Sequence, residues 1–166
     1  MIKTYISYFV NAFLVTELPS WHINIKKRLV KSSKIYFRDN GMLHYLLGIN
    51  DRESLYGNIA VGSSWEGFVI HQVKSVLSTD DEIYFYRTQD GAEIDLLIRR
   101  DTRWLAAVEI KLSLSPKLTK GSYLAMEDLG VEKLYVVTPG EERYVYESNV
   151  EVIGLLQFLD EFKNKD

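Results

Sequence analysis

Two neighbouring segments, Glu93 to Arg100 and Trp104 to Leu112, constrain this chain more than any others. Each alternates apolar and charged residues: Ile94, Leu96 and Ile98 against Glu93 and Asp95, then Val108, Ile110 and Leu112 against Glu109 and Lys111. A period of two marks a strand, whose successive side chains point to opposite faces. The apolar sets must cover a buried face, so the charged sets share the other. Asp101-Thr102-Arg103 closes the pair as a hairpin with a three-residue loop, one of the common lengths. Arg100 then lies opposite Trp104, which places Asp95 opposite Glu109 and Glu93 opposite Lys111. A slip by one residue would set the apolar face of one strand against the charged face of the other, which burial disfavours.

That register brings two carboxylates, Asp95 and Glu109, face to face. Like charges in cross-strand contact are destabilising unless a positive group lies between them. Lys111 is one such group and a divalent cation is the other. Carboxylates with a backbone carbonyl suit Mg²⁺ or Mn²⁺, which take oxygen ligands and keep several waters. A lysine beside such a site can stabilise a developing oxyanion or orient an attacking water.

Glu66 adds to this set. Ser63 and Ser64 are good helix N-caps, and a helix from Trp65 to about Leu77 carries an apolar stripe of Val69, Ile70, Val73 and Leu77. Glu66 falls in the middle of that stripe, so its carboxylate faces the sheet and needs a partner. The bland alternative is an exposed first turn in which Glu66 only complements the helix dipole. With Asp95 and Glu109 at hand, a third carboxylate of a metal site is the better reading.

The rest of the chain supplies the layers around these residues. From Ser63 to Thr138 the order is helix, three strands, helix (Lys120 to Leu129) and strand (Lys133 to Thr138), which suits a mixed α/β layer with helices covering a sheet. A short strand is expected at Arg143 to Tyr146 and a closing helix at Gly154 to Phe162. Upstream, residues 1–61 form an N-terminal extension. Its expected elements are a helix at Thr4 to Asn11, strands at Ala12 to Glu17 and Trp21 to Ile25 around Pro19-Ser20, a strand at Lys34 to Phe37 and a helix at Gly41 to Leu47. The polar stretch Asp51 to Gly62 marks the boundary with the second region, residues 62–166.

Composition excludes several classes. With 166 residues, 46% hydrophobic and 26% charged, the chain is an ordinary globular protein with enough apolar mass for a core. It has no cysteine, so a disulfide scaffold, a thiolate zinc site, an iron–sulfur cluster and a cysteine nucleophile are all excluded. No apolar run approaches a membrane span, and a cytoplasmic location is the expectation. Met1 to Val15 reads as a buried amphipathic helix rather than a signal peptide, because Asn11 interrupts it and no small-residue cleavage site follows. The net charge of −3 offers no overall attraction for nucleic acid. Lys26, Lys27, Arg28, Lys31 and Lys34 form a local basic run that could meet a phosphate backbone, although a solvated loop is the commoner role. Arg87 is expected to pair with Glu93. Tyr84, Tyr86 and Trp104 could stack on bases, with packing against a helix the commoner fate. His22, His44 and His71 show no metal-ligand spacing.

At the level of motifs, Asp95 followed by Glu109-Ile110-Lys111 and preceded by a helical Glu66 resembles the PD-(D/E)XK nuclease superfamily. More closely, the chain resembles the C-terminal domain of unknown function found in bacterial and archaeal AAA-type ATPases. The resemblance rests on Lys34-Ile-Tyr-Phe-Arg-Asp-Asn-Gly-Met42, Gly62-Ser-Ser-Trp-Glu-Gly-Phe-Val69, Tyr86-Arg-Thr-Gln-Asp-Gly-Ala-Glu-Ile-Asp95 and Val108-Glu-Ile-Lys111. It implies a restriction-endonuclease-like α/β (α+β) core, with Glu66, Asp95 and Glu109 as metal ligands and Mg²⁺ (or Mn²⁺) as the ion. It also implies Asp95, Glu109 and Lys111 as the catalytic set. The implied partners are nucleic acid and an AAA-type ATPase core. The chain contains no Gly-Lys dipeptide, hence no P-loop, and is not expected to bind ATP through that motif. Two readings follow: a metal-dependent nuclease-like domain acting on phosphodiester bonds, or a non-catalytic DNA- or protein-binding module that works with an ATPase elsewhere.

Overall fold

A computed structural model describes residues 2–22 and 29–163. Its centre is a six-stranded mixed sheet in the order β3-β4-β5-β6-β8-β7, built from β3 (Asp81–Arg87), β4 (Glu93–Arg100), β5 (Arg103–Ile110), β6 (Leu134–Thr138), β7 (Tyr144–Glu147) and β8 (Val150–Gly154). β3, β4 and β5 run antiparallel. Helix α5 (Lys120–Leu129) then carries the chain across so that β6 lies parallel to β5. β8 is parallel to β6, and β7 closes the far edge antiparallel to β8. The class is therefore mixed α and β with a mixed sheet.

Both faces of this sheet are buried, because helices lie on each side. On one face α4 (Val61–Val76) and α6 (Leu155–Asp160) cover Leu96, Ile98, Val108, Ile110, Val137 and Ile153. On the other, α5 covers Ile94, Leu97, Ala107, Val136 and Val152. One apolar face and one charged face were expected for the hairpin. Leu97 and Ala107 overturn this: the small and apolar residues between the expected ones are buried as well. Ile94 also changes sides, and a bulge explains it. Tyr84 pairs with Leu97 and Tyr86 with Ile94, so Asp95 and Leu96 together stand opposite Phe85. A bulge of this kind re-aims a side chain, and here the re-aimed residue is Asp95.

The hairpin register holds where it matters. Leu96 pairs with Val108, Leu97 with Ala107 and Ile98 with Ala106, as the sequence count requires. The turn differs. It has two residues, Asp101 and Thr102, with Asp101 at φ 53° and Arg100 opposite Arg103. A second bulge at Leu105 restores the count, so the two departures cancel before the strands reach Asp95 and Glu109.

The N-terminal region holds α1 (Ile2–Asn11), a two-stranded antiparallel sheet of β1 (Val15–Leu18) and β2 (Lys34–Phe37), and helices α2 (Asn40–Leu46) and α3 (Arg52–Tyr56). β1 pairs with β2, not with the segment after Pro19. Trp21 lies outside any strand, and residues 23–25 of the expected strand, like Lys26 to Arg28, fall outside the described residues. Ser20 instead bridges to Phe85 of the main sheet. The polar boundary stretch contains α3, started by a capping box between Asp51 and Ser54. At the other end, the closing helix expected at Gly154 to Phe162 is α6, and the strand that precedes it, β8, is one the local pattern does not show. Val150, Val152 and Ile153 are β-branched and fully buried between β6 and β7, which favours the strand. Among the described residues no helix is long and apolar enough to cross a membrane.

Candidate functional site

Four carboxylates meet where β2, α4, β4 and β5 converge. Glu66 comes from the second turn of α4, Glu93 and Asp95 from the start of β4, and Glu109 from the end of β5. Lys34, on β2, lies among the first three. Its Nζ is 2.7 Å from Glu66 Oε1, 3.2 Å from Glu93 Oε1 and 3.4 Å from Asp95 Oδ1. Tyr36, two residues along the same strand, donates its hydroxyl to the same Glu66 oxygen. Alternation puts Lys34 and Tyr36 on one face of β2. They turn inward while Ile35, between them, is exposed.

Gly67 makes this seating possible. A Cβ at that position would stand 3.0 Å from Tyr36 Cδ1 and 3.3 Å from Tyr36 Cβ. A glycine on α4 lets β2 come this near without crowding, and that approach carries Lys34 to the acids.

Asp95 and Glu109 are held from two sides. Asp95 Oδ2 accepts the backbone N–H of Ile110 at 3.0 Å, so the carboxylate takes a place in the β4–β5 ladder. Glu109 shares the α5 side with Ala107. Its Oε1 accepts from Ser122 Oγ of α5 at 2.8 Å, and its Oε2 pairs with Lys111 Nζ at 2.7 Å. Arg87 reaches Glu93 from the exposed rim at 3.5 Å, the pair expected from the sequence.

The electrostatics follow from this crowding. Burial, then the neighbouring Asp95 charge, pushes the Glu109 carboxyl up to about 7, with Lys111 and Ser122 opposing the rise. Burial disfavours the Lys34 and Lys111 ammonium groups, but the surrounding carboxylates outweigh it and hold both above the ordinary lysine value. For Lys34 the acids are Asp95, Glu66 and Glu93. For Lys111 they are Glu109, Asp95 and Glu93. Burial and then Glu66 raise the Tyr36 hydroxyl, which stays a donor. Among the described residues, four carboxylates thus face two ammonium groups in the pocket, and Arg87 reaches Glu93 from the rim.

All four residues singled out in the sequence, Glu66, Asp95, Glu109 and Lys111, belong to this one cluster. Sequence pattern alone does not reveal Lys34, Tyr36 and Ser122 as members of the site. A place in a solvated basic run was the expectation for Lys34, and the structure corrects it: the ammonium is enclosed by acids. The donor chemistry suits a hard cation, being all oxygen and rich in negative charge. The spacing does not bring three ligands onto one point: among the described residues no group of three or more His, Asp or Glu is arranged to hold a metal ion. Lys34 parts Glu66 from Asp95, and Ser122 with Lys111 draws Glu109 to the α5 side.

The aromatic residues are engaged in packing. Tyr86 is buried with its hydroxyl on Asp128 at 2.9 Å, and Trp104 donates to the Leu129 carbonyl. Tyr84 and Trp104 both meet the Trp21 ring edge-on, with Arg99 over it. His44 lies 2.8 Å from Ser64 Oγ and has no carboxylate partner there.

Residues 61–158 match a domain of unknown function, DUF4143. The chain belongs to that family. The DUF4143 match covers α4, the whole sheet and most of α6, and so includes Glu66, Glu93, Asp95, Glu109 and Lys111. Residues 1–53, which carry Lys34 and Tyr36, match a second domain of unknown function, DUF8612. The chain is 38% identical over 157 residues to the uncharacterized protein Rv2008c of Mycobacterium tuberculosis (strain ATCC 25618 / H37Rv) and equally to Mb2031c of Mycobacterium bovis (strain ATCC BAA-935 / AF2122/97). Each alignment takes in 95% of this chain and 35% of the relative, so this DUF4143 chain spans about a third of the length of the curated relatives it matches. No solved structure matches the chain.

Proposed function

We propose that this DUF4143 domain is a nuclease-like module of the PD-(D/E)XK type, with a site built for a divalent cation and a phosphodiester. The observation that carries the reading is the convergence of Glu66, Asp95, Glu109 and Lys111 from separate elements into one half-buried pocket with excess negative charge. The order α4, β3, β4, β5, α5, β6 supports a restriction-endonuclease-like core. Glu66, Asp95 and Glu109 would hold Mg²⁺ or Mn²⁺, directly or through water. When bound, such an ion polarises a phosphoryl oxygen and acidifies a water.

The protein's own part is positioning. The Ile110 N–H fixes Asp95, and Ser122 fixes Glu109, so neither side chain has to be ordered when a ligand arrives. Lys111, half-exposed beside Glu109, is placed to meet a phosphate oxygen or an attacking water. An AAA-type ATPase core is the partner this reading implies, in keeping with relatives far longer than the stretch they share with this chain. One observation favours a second reading, a non-catalytic module that binds DNA or protein: an ammonium group already stands where the ion would go.

The test has two arms. Millimolar Mn²⁺ should raise the melting temperature of the wild type and leave Asp95→Ala unmoved. Labelled DNA should be nicked by the wild type with Mn²⁺ and spared by Lys111→Ala. A metal-dependent rise without any cutting selects the non-catalytic module. No rise and no cutting removes the nuclease-like reading altogether.

A further inference from the structure

The N-terminal helix departs from what its sequence predicts. Six of the ten residues of α1 are apolar or aromatic, which argues for a buried helix, and the structure corrects this: none of them is buried. One side of α1 faces the small sheet, where Lys3, Ile6 and Ser7 line a groove with Glu17 of β1 and Ile35 of β2. At about 100° per residue, Tyr5, Tyr8 and Phe9 lie on the other side, and Ile2 stands two turns before Phe9 on the same line. These four side chains are 49–78% exposed. Ala12 continues the line, since its N–H still bonds the Tyr8 carbonyl at 2.9 Å. Ile2, Tyr5, Phe9 and Ala12 thus follow the alternating three- and four-residue spacing of a helix–helix seam.

We propose that this stripe is a dimer contact, in which α1 packs antiparallel against α1 of a second copy of the chain. The area matches. An aromatic side chain carries about 150–250 Å², so three aromatics and Ile2, exposed to this degree, offer about 450 Å². Each partner of a standard interface buries about 800 Å², a little over half of it apolar. The pattern is also self-complementary. With the helices antiparallel about a two-fold axis, Tyr5 of one copy meets Phe9 of the other, and Ile2 meets the small Ala12. Lys3, the one charged residue of α1, stays on the groove side, so the contact buries no charge. Opposed helix dipoles suit the same arrangement. A membrane surface fits less well, because helices that lie on lipid carry a polar face rich in lysine and arginine.

Sedimentation velocity on the whole chain over about 1–100 μM, the range in which contacts of this size associate, tests this. The wild type should pass from monomer to dimer. The double variant Tyr5→Glu and Phe9→Glu sets two carboxylates from each copy into the seam, and should raise the dimer dissociation constant at least about tenfold. Both side chains are exposed in the single copy, so the variant should melt as the wild type does at low concentration. A second measurement uses the wild type alone: hydrogen exchange of the α1 backbone amides should slow as the concentration rises. A wild type that stays monomeric, or a variant that dimerises equally well, overturns the proposal. So does a wild type that binds phosphatidylserine vesicles through α1 while staying monomeric, which would give the stripe to a membrane.

Discussion

Two charged networks of this fold look alike in their contacts and differ in their arithmetic. At the far edge of the sheet, Lys133 and Arg143 both reach Glu151, and Arg143 also reaches Glu161 at 2.7 Å. Two cations that are nearly half exposed meet two anions that are largely covered, Glu151 at 13% and Glu161 at 23%. At the other end, four carboxylates meet Lys34 and Lys111 in a pocket where Glu109 is almost fully enclosed. The first network is balanced and needs nothing more. Among the described residues the second holds a surplus of negative charge that burial makes expensive. Such a surplus is what the proposed cation site would draw on.

The largest expected effect breaks the second network at its centre. Lys34→Ala leaves three partly buried carboxylates without their common partner, and should destabilise the fold by about 3 kcal/mol at low salt. Arg143→Ala removes a nearly half-exposed cation whose partner Glu151 keeps Lys133, and should change stability by less than about 1 kcal/mol. Urea denaturation of both variants checks the pair. Comparable losses would mean that the pocket is no more strained than the surface.

Next comes pH, where the two networks should act with opposite sign. The Glu109 carboxyl is raised from 4.5 to about 7 in the fold, by burial first and Asp95 second. Between those values the folded state binds more protons than the unfolded one, so its contribution is full below pH 4.5 and is lost as pH rises towards 7. The slope reaches at most about 1.36 kcal/mol per pH unit. Glu151 is lowered, chiefly by hydrogen bonds from Arg143 and Lys133, so its contribution is present above its ordinary 4.5 and is lost on acidification below that. Stability against pH for Glu109→Gln and Glu151→Gln should show the first variant losing the neutral-side slope and the second losing an acid-side slope. A shared direction would contradict the contrast between surplus and balance.

The two regions are also unequally legible in the sequence. The β4–β5 register can be read because one turn fixes the count from Leu96–Val108 to Ile98–Ala106, and two compensating irregularities leave it intact. Glu66 can be read because an acid set into an apolar helical stripe must find a partner across the packed interface. Lys34 cannot. In β2 the polar residues Lys34 and Tyr36 turn inward and Ile35 outward, the reverse of what hydropathy suggests, so the strand is legible and its orientation is not. The signal that points to it is the spacing of Lys34 and Tyr36, two positions apart and so on one strand face, inside one of the stretches that carry the family resemblance. The bulge at Asp95 and the strand β8 are hidden by a different cause. Both depend on partners distant in sequence, and local pattern carries no trace of them.

Gly67→Ala sharpens the comparison with a smaller effect. Helix propensity alone would favour alanine by up to about 1 kcal/mol. The new Cβ, however, would crowd Tyr36 at 3.0 Å, against a side chain pinned at its far end by Glu66. Overpacking of this kind costs about 1–3 kcal/mol, so a net loss of about 1 kcal/mol is expected. It should come with greater exposure of Lys34 to acetylation, because β2 is pushed off α4. A gain in stability with Lys34 still covered would show that the small sheet adapts freely and that its seat on α4 is not specific.

The smallest effect lies at the balanced edge, and it is informative for being small. Lys133 pairs with Glu151 at 2.6 Å, a distance as short as that between Lys34 and Glu66 at 2.7 Å. If distance decided energy, a double-mutant cycle would give both pairs the same coupling. Lys133 is about half exposed and its ammonium also lies over the Tyr135 ring, so solvent and a second partner are both available when Glu151 is removed. Coupling between Lys133→Met and Glu151→Gln should stay below about 0.5 kcal/mol and vanish in 1 M salt. The cycle for Lys34→Met and Glu66→Gln should give a larger value that survives the same salt, because screening reaches a half-buried pocket poorly. Equal couplings would place the difference between the networks in geometry rather than in burial and charge surplus. Lys34 would then be one more surface ion pair.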